Sequence, residues 1–216
     1  MSQNLKVPFF ANASDNTHCF QAAIKMVLKY FWPQREFSFE ELDKITAKVE
    51  GMWTWQMAGL LWLQENGFEV RDIEVFDFER FIEEKEKYLL EFFGEEAGLE
   101  QIQHSYLPNE FEYARRFVKE IEIERRLPDF SDIRNLMNKG YLVVCLVNAK
   151  KLDRKDGYVG HFVLIKGYDD KNLIIHDPGL PPIENRTVSG ESFEKAWADP
   201  NEKAKSLWAI RLKKDN

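Results

Sequence analysis

The sequence predicts one α+β domain over residues 1–216, with N-terminal helices packed on an antiparallel sheet and a helical insertion near the middle. Two patterns lead to this class. Amphipathic helical segments dominate the first half, and apolar strand-like runs separated by turns follow from Tyr141 onward. Helices followed by adjacent strands are typical of α+β proteins. A chain of 216 residues can bury one good core.

The first helix is predicted from about His18 to Phe31, because apolar residues recur there at i, i+3, i+4 and i+7. Residues 1–17 before it form an extended segment and a polar loop. The elements predicted next are, in order, a helix from the capping box Ser38–Glu41 to about Val49, a helix from about Trp55 to Asn66, and a strand over residues 68–76.

Residues 77–128 are interpreted as a helical insertion rather than a separate domain. Two charged helices are predicted there, from about Asp77 to Gly94 and from about Asn109 to Arg126. Their charged side chains are interpreted as a solvated face and their aromatic side chains as core.

The C-terminal part is predicted to be mainly strands. After a short helix from Asp129 to Lys139, the predicted elements are strands at about 141–148, 161–168, 171–176 and 206–212, a polar loop over 150–157, and a short helix near 192–197. Adjacent strands joined by short turns favour an antiparallel arrangement.

The amino-acid composition limits the classes of partner that the protein is expected to bind. The net charge of −7 argues against nucleic acid, because phosphate binding needs a basic surface. No stretch approaches the roughly 20 apolar residues of a membrane helix, and no secretory leader is recognisable, so we expect a cytoplasmic protein that binds no membrane. No Cys/His cluster has the spacing of a zinc site, and we expect neither a metal nor another cofactor.

The two cysteines have different surroundings. Cys145 lies inside an apolar strand-like run, where a cysteine behaves as a small hydrophobic residue. Cys19 begins a helix, where unpaired N–H groups and the helix dipole favour a thiolate. Cys19 is therefore the candidate nucleophile.

A histidine and an aspartate stand at the ends of two predicted strands. His161 begins the run Phe162–Ile165, and Asp177 ends the next one. If these strands form a hairpin with its turn at residues 169–172, the two arms of the hairpin are equally long and Asp177 lies across from His161. The Asp177 carboxylate can then accept a hydrogen bond from Nδ1–H of His161. A thiol, an imidazole and a carboxylate are the parts of a cysteine nucleophile with its base and orienting group.

The other histidines are weaker candidates for the base. His18 precedes Cys19 on a helix, where neighbours point about 100° apart. His176 points to the opposite face from Asp177, and His104 lies in the insertion. Trp53 and Trp55 are interpreted as helix-packing aromatics, with lining of a cleft as the alternative.

These residues resemble those of the C39-like peptidases, which have the papain-like cysteine peptidase fold. The resemblance rests on Asp15–Ala23, on Gly160–Val163, on Ile175–Gly179, and on the order Cys, His, Asp. It covers the first 30 residues and about 140–180, but not the insertion. It implies that Cys19 is the nucleophile, His161 the base and Asp177 the orienting residue.

The chain departs from that family at two positions. Phe20 follows the nucleophile where the family usually has glycine, and Ala13 stands where the family has the glutamine that completes the oxyanion hole. Asn12 and Asn16 are the nearby amides. Because Asn16 is close enough to the helix start to serve as a cap, Asn12 is predicted to complete the oxyanion hole.

The predicted function is that of a thiol hydrolase that cleaves a peptide or related small amide through an acyl-enzyme. Two alternatives stay open: an acyltransferase or transpeptidase of the same fold, and a catalytically weak peptide-binding module. Products formed with an added amine distinguish the first alternative, and labelling by an alkylating agent distinguishes the second.

Overall fold

A computed structural model describes residues 2–213 of the chain. The helices in this range are α1 (Cys19–Phe31), α2 (Phe39–Ile45), α3 (Met57–Glu65), α4 (Phe78–Glu84), α5 (Glu86–Phe93), α6 (Glu95–His104), α7 (Leu107–Glu120), α8 (Phe130–Asn138), α9 (Ala149–Leu152) and α10 (Gly190–Trp197). The strands are β1 (Gln3–Asn4), β2 (Phe68–Glu74), β3 (Glu122–Glu124), β4 (Leu142–Asn148), β5 (Gly160–Tyr168), β6 (Asn172–Asp177), β7 (Ile183–Ser189) and β8 (Ser206–Leu212).

The strands described form one sheet in the order β3-β2-β8-β4-β5-β6-β7, and β1 pairs with β5. All pairs are antiparallel except β2 with β3. The predicted α+β fold with helices on an antiparallel sheet is therefore confirmed, with one parallel pair added. That pair is parallel because the chain passes through α4–α7 before it returns beside β2.

Helices cover both faces of the sheet, and alternation along the strands divides the core between them. In β4, Leu142 and Val144 face the larger cluster, which contains α1, α3 and the aromatic residues of the insertion. Val143 and Cys145 face the smaller cluster, which contains α8 and α10. A strand buried on both faces reads as a continuous apolar run, as β4 does.

The helix α1 is held against β5 by a pair of aromatic rings. The rings of Phe20 and Phe162 lie 4.7 Å apart, and Phe20 is 1% exposed. Gly59 in α3 lies directly behind Phe20, because a Cβ there would be 2.7 Å from Phe20 Cε1. The large side chain after Cys19 is thus accommodated by the missing side chain at Gly59.

The N-terminal segment runs along the C-terminal strands. Leu5 N–H donates to the carbonyl of Lys166 at 2.8 Å, and Asn12 N–H donates to the carbonyl of Pro178 at 2.8 Å. Between them, Nε2 of His176 lies 2.9 Å from the carbonyl oxygen of Val7. These contacts connect the loop before Cys19 to the loop after Asp177.

Several elements differ from the sequence prediction. The insertion contains α6, which was not predicted, and its last helix ends at Glu120 and is followed by β3. The strand β7 was missed because its sequence is polar and mostly exposed, as fits the edge of a sheet. The predicted polar loop over 150–157 begins with the short helix α9.

Within residues 2–213, no helix combines the length and apolar character needed to cross a bilayer.

We expect Gly59→Ala to lower the free energy of unfolding. Helix propensity alone favours alanine by about 1 kcal/mol, but the added Cβ would lie 2.7 Å from a ring atom of Phe20. Overpacking of a core costs about 1–3 kcal/mol. Urea denaturation measures the change, with Glu65→Ala at the exposed end of the same helix as control. A more stable Gly59→Ala protein would contradict the packing argument.

Candidate active site

Cys19 is the first residue of α1, where a polar loop becomes a helix. His18 occupies the N-cap position but makes no capping side-chain bond. Instead, Oδ1 of Asn12 accepts the His18 backbone N–H at 2.7 Å. The thiol is partly exposed, and it lies at the end of the helix where partial positive charge favours a thiolate.

His161 and Asp177 are brought together by β5 and β6. Nε2 of His161 lies 2.7 Å from Oδ1 of Asp177, and both side chains are buried. The strands are antiparallel, as their sequence predicted. The contact has the length of a charge-assisted hydrogen bond.

Two details of this contact differ from the sequence-based expectation. Leu164 pairs with His176, so Asp177 lies diagonally from His161 rather than opposite, and the pairing contains a register shift between Ile165 and Gly167. The ring nitrogen that meets Asp177 is Nε2, not Nδ1. Nδ1 is therefore left for the thiol of Cys19, which hydrogen-bonds to the His161 ring.

Asp177 has two further partners. Nη1 of Arg186 lies 2.7 Å from Oδ2, and the backbone N–H of Gly179 donates to Oδ1 at 3.0 Å. Burial opposes ionisation of Asp177. The hydrogen bonds from His161, Arg186 and Gly179, together with the charge of His161, nevertheless lower the pKa of Asp177 to about 2. Asp177 is thus a carboxylate at neutral pH and holds the imidazole in one orientation.

The thiol and the imidazole stabilise each other's charged forms. Burial disfavours a charged ring, yet the bond to Asp177 and the contact with Cys19 raise the pKa of His161 to about 10. Burial also disfavours the thiolate, but the hydrogen bond and charge of His161 bring the pKa of Cys19 below its ordinary value. Both shifts favour a thiolate–imidazolium pair over the neutral pair.

The remaining cysteine and histidines have structural surroundings. Cys145 lies in β4 with no exposed surface, and burial raises its pKa well above the ordinary value. His18 contacts Asp15 and Asp43, and His176 contacts the carbonyl of Val7. His104 stacks on Trp53.

The loop before Cys19 gives its two asparagines different surroundings. The Asn12 side chain is buried, and its Nδ2 donates to Oδ1 of Asn16 at 3.2 Å. Because the His18 N–H fixes which end of the Asn12 amide is oxygen, Asn16 must present its own oxygen to Asn12. The Nδ2 atom of Asn16 is therefore not bonded to Asn12. Asn16, and not Asn12, lines the cavity beside Cys19.

Cys19, His161 and Asp177 line one cavity of about 310 Å³. Its other walls come from both halves of the chain and from the insertion, and include Trp53, Trp55, Glu74, Phe92, Phe93, Gln101, Leu180, Arg186, Ser206 and Trp208. Trp53 and Trp55 therefore line the cleft, which was the alternative interpretation of their sequence. The volume lies at the lower end of the range for small-ligand sites.

Sequence reasoning missed Arg186 and Glu74. Arg186 lies on the polar edge strand β7, which had no apolar pattern to reveal it. Glu74 reads as an ordinary outward-facing residue of a strand. A buried carboxylate such as that of Asp177 needs a cationic partner to stay ionised. Nothing in the sequence identifies which arginine supplies this partner.

Solved structures resemble this fold at low identity. A double-glycine motif protease from an AMS/PCAT transporter, in complex with the leader peptide, is 13% identical over 98% of this chain and 95% of that chain, with a TM-score of 0.52. A protein from Bacillus anthracis described as a C39-like peptidase is 15% identical over 100% of both chains, with a TM-score of 0.51. These two show that the chain has the fold of the C39-like peptidases.

The peptidase domain of Streptococcus ComA, a bi-functional ABC transporter involved in a quorum sensing pathway, is 14% identical over 96% of this chain and 98% of that domain, with a TM-score of 0.48. A comparison with curated proteins finds no match.

The sequence profile of one family matches most of the chain, over residues 11–201. That family is described by the name guanylylate cyclase. The match includes the loop before Cys19, the whole insertion and the strands that carry His161 and Asp177. The chain therefore belongs to the guanylylate cyclase family, and it has a C39-like peptidase fold.

Proposed function

We propose that this chain is a thiol hydrolase that cleaves a peptide or related amide bond through Cys19, His161 and Asp177. One observation carries the proposal. The Cys19 thiol lies beside an imidazole whose Nε2 lies 2.7 Å from a buried carboxylate, and all three residues line one cavity. This is the arrangement that a cysteine nucleophile needs.

The first half-reaction would form an acyl-enzyme. The Cys19 thiolate attacks the carbonyl carbon, and the carbonyl oxygen becomes negatively charged. The imidazolium of His161 gives its Nδ1 proton to the departing amine, so the C–N bond breaks and a neutral amine leaves. In the second half-reaction, neutral His161 takes a proton from water, and hydroxide displaces Cys19 from the thioester.

The charge on the carbonyl oxygen requires hydrogen-bond donors. The backbone N–H of Cys19 lies in the first turn of α1, where N–H groups lack helical partners. We propose Asn16 Nδ2 as the second donor, because Asn16 lines the cavity while the Asn12 amide is bonded to His18 and Asn16. Asn12 then acts as a positioning residue, which modifies the role predicted for it from sequence.

Transfer of the acyl group to an amine instead of water would use the same residues. A peptide-binding module without catalysis would retain the cavity but would have no need for a thiolate–imidazolium pair. Product analysis with and without an added amine distinguishes hydrolysis from acyl transfer.

The family name raises a nucleotide reaction as a competing assignment. Cyclisation of a nucleoside triphosphate needs cationic groups around the phosphates. Among the described residues that line the cavity, the arginine and lysine side chains are those of Arg186 and Lys155. Arg186 is already bound to Asp153, Asp177 and the carbonyl of Leu152, and Lys155 pairs with Asp153. Formation of a cyclic nucleotide from GTP at a rate unchanged by Cys19→Ala would contradict the proposed function.

We also propose that residues 1–216 act as one domain and that the protein works in the cytoplasm. Phe92, Phe93 and Gln101 of the insertion help to form the cavity walls, which supports the first statement. Both cysteines are free thiols, as is usual in a reducing compartment.

Limiting iodoacetamide at neutral pH should modify Cys19 and leave Cys145 unmodified. Cys19 has a lowered pKa and partial exposure, whereas burial raises the pKa of Cys145. Peptide mapping by mass spectrometry locates the adduct. Cys19→Ala should abolish hydrolysis of an amide library, with Cys145→Ala as the matched control that keeps it. Preferential labelling of Cys145 would rule out the assigned nucleophile.

Asp177→Asn should slow alkylation of Cys19 most strongly below pH 7. The carboxylate raises the pKa of His161, so its loss lets the ring release its proton at lower pH, and the pKa of Cys19 then rises. The thiolate fraction at pH 6 falls as a result. Asp153→Asn is the control, since Asp153 also pairs with Arg186 but has no contact with the ring. Equal pH profiles in the two variants would argue against the triad.

Asn16→Ala should lower kcat by roughly 10²–10³ while alkylation of Cys19 stays normal. Asn12→Ala should lower kcat as well, but it should also destabilise the protein by about 1 kcal/mol, because the first turn of α1 loses its acceptor. Turnover and thermal unfolding are measured on both variants. Full activity of Asn16→Ala would remove Asn16 from the mechanism.

A further inference from the structure

Two paired strands form one part of the cavity wall, which we call its inner end. In β2 and β8, Asp72 lies opposite Trp208, and Glu74 lies opposite Ser206. Residues two apart on a strand share a face, so the four side chains form one block. A chain of aromatic contacts connects this block to the active site, since Trp208 packs on Phe162 at 5.3 Å between ring centres.

This block is buried and polar, and several of its groups lack hydrogen-bond partners. Glu74 is 6% exposed and Ser206 3% exposed, and both line the cavity. Neither oxygen of Asp72, nor Oγ of Ser206, nor Nε1 of Trp208 makes a hydrogen bond of normal geometry to a described residue. Buried polar groups without partners are costly. A ligand with hydrogen-bond donors in the cavity would supply a partner for Oγ of Ser206 and further partners for Glu74, since both residues line it.

The block contains two carboxyl groups that no cationic side chain of the described residues compensates. Asp72 and Glu74 lie against each other, and the neighbours that act on them are Trp208 and Gln56. No ion pair links either carboxyl group to a lysine or arginine in residues 2–213 that the structure describes. Nε2 of Gln56 is 3.3 Å from Oε1 of Glu74, which leaves acceptor capacity free.

The walls around these carboxyl groups are aromatic. Trp55, Phe76, Phe92 and Phe93 line the same cavity. Aromatic faces attract ammonium and guanidinium groups, and the attraction is strongest away from water. An enclosed site that combines a carboxylate with aromatic rings suits a cation better than a neutral apolar group.

We propose that this inner end is a specificity subsite for a positively charged side chain of the substrate, an ammonium or guanidinium group, held by Glu74 between aromatic walls. The inference rests on the proposed function, because it assigns the substrate of the same site. The charged end binds Glu74 while the amide bond to be cleaved reaches Cys19 at the other end of the cavity. The substrate class is then a peptide or amide with a basic residue on the acyl side.

The direction of the pKa shifts of the two carboxyl groups supports this assignment. Burial raises the pKa of Glu74 to about 7, although its neighbours Asp72 and Trp208 and the hydrogen bond from Gln56 oppose the shift. Burial and the charge of Glu74 also raise the pKa of Asp72 well above its ordinary value. Tyr88 of α5 is a further titratable group whose pKa is affected by the charge of Glu74. A cation binds the ionised carboxylate, so its affinity should increase as pH rises from 6 to 8.

The test measures binding to the full-length Cys19→Ala protein, in which no turnover occurs. The probes are N-acetyl-arginine amide, N-acetyl-citrulline amide as its neutral analogue, and guanosine, with affinities from isothermal titration calorimetry. We expect the arginine probe to bind at least about tenfold more tightly than the citrulline probe. Glu74→Gln should remove that preference, and Asp153→Asn, which changes another acid of the same cavity, should keep it.

Equal affinity for the arginine and citrulline probes would overturn the subsite, as would an unchanged preference in Glu74→Gln. Binding of guanosine without binding of the arginine probe would also overturn it. If the Glu74→Gln protein does not fold, binding to the Cys19→Ala protein with Glu74 intact is measured as a function of pH. The subsite then requires that affinity for the arginine probe rises with pH while affinity for the citrulline probe does not change. These outcomes leave the alkylation of Cys19 untouched, so failure of the subsite and failure of the proposed hydrolase are distinguishable.

Discussion

The contact between the rings of Phe20 and Phe162 determines the geometry of the whole site. Each ring belongs to the residue directly after a functional one, Cys19 in α1 and His161 in β5. Because the ring centres are 4.7 Å apart in a close-packed core, the backbone positions of the thiol and the imidazole are fixed relative to each other. The hydrogen bond between them therefore requires no adjustment of loops. Gly59 makes this packing possible, because a side chain at that position would collide with the ring of Phe20.

The electrostatic arrangement depends on a second buried contact, between Asp177 and Arg186. A buried carboxylate with a single imidazole partner would be costly to ionise. Arg186 adds a full positive charge at 2.7 Å and is itself held by Asp153 and a backbone carbonyl. This support keeps Asp177 ionised, and the ionised carboxylate keeps His161 protonated. The charge state of the imidazole beside Cys19 is thus linked to an arginine on the edge strand β7.

The sequence predicted the fold and the three central residues because each is marked by a change of periodicity. Cys19 stands where a polar loop becomes a 3.6-residue pattern, and His161 and Asp177 stand at the ends of apolar runs. The roles of Asn12 and Asn16 could not be separated in this way, since a loop has no period and Asn16 adopts a positive φ of 59°. Strand β7 and helix α6 lacked apolar patterns strong enough to locate them.

The bond between His176 and the carbonyl of Val7 joins residues 169 positions apart. The loop before Cys19 is thus fixed only after nearly the whole chain has been made. Contacts of such long range form late, because the loop they close must lose its entropy first. During synthesis, Cys19 leaves the ribosome long before His161 and Asp177 exist, and it has the reactivity of an ordinary thiol throughout that interval. The order of residues along the chain therefore delays the contact between Cys19 and the His161 ring until the cavity that both residues line has folded.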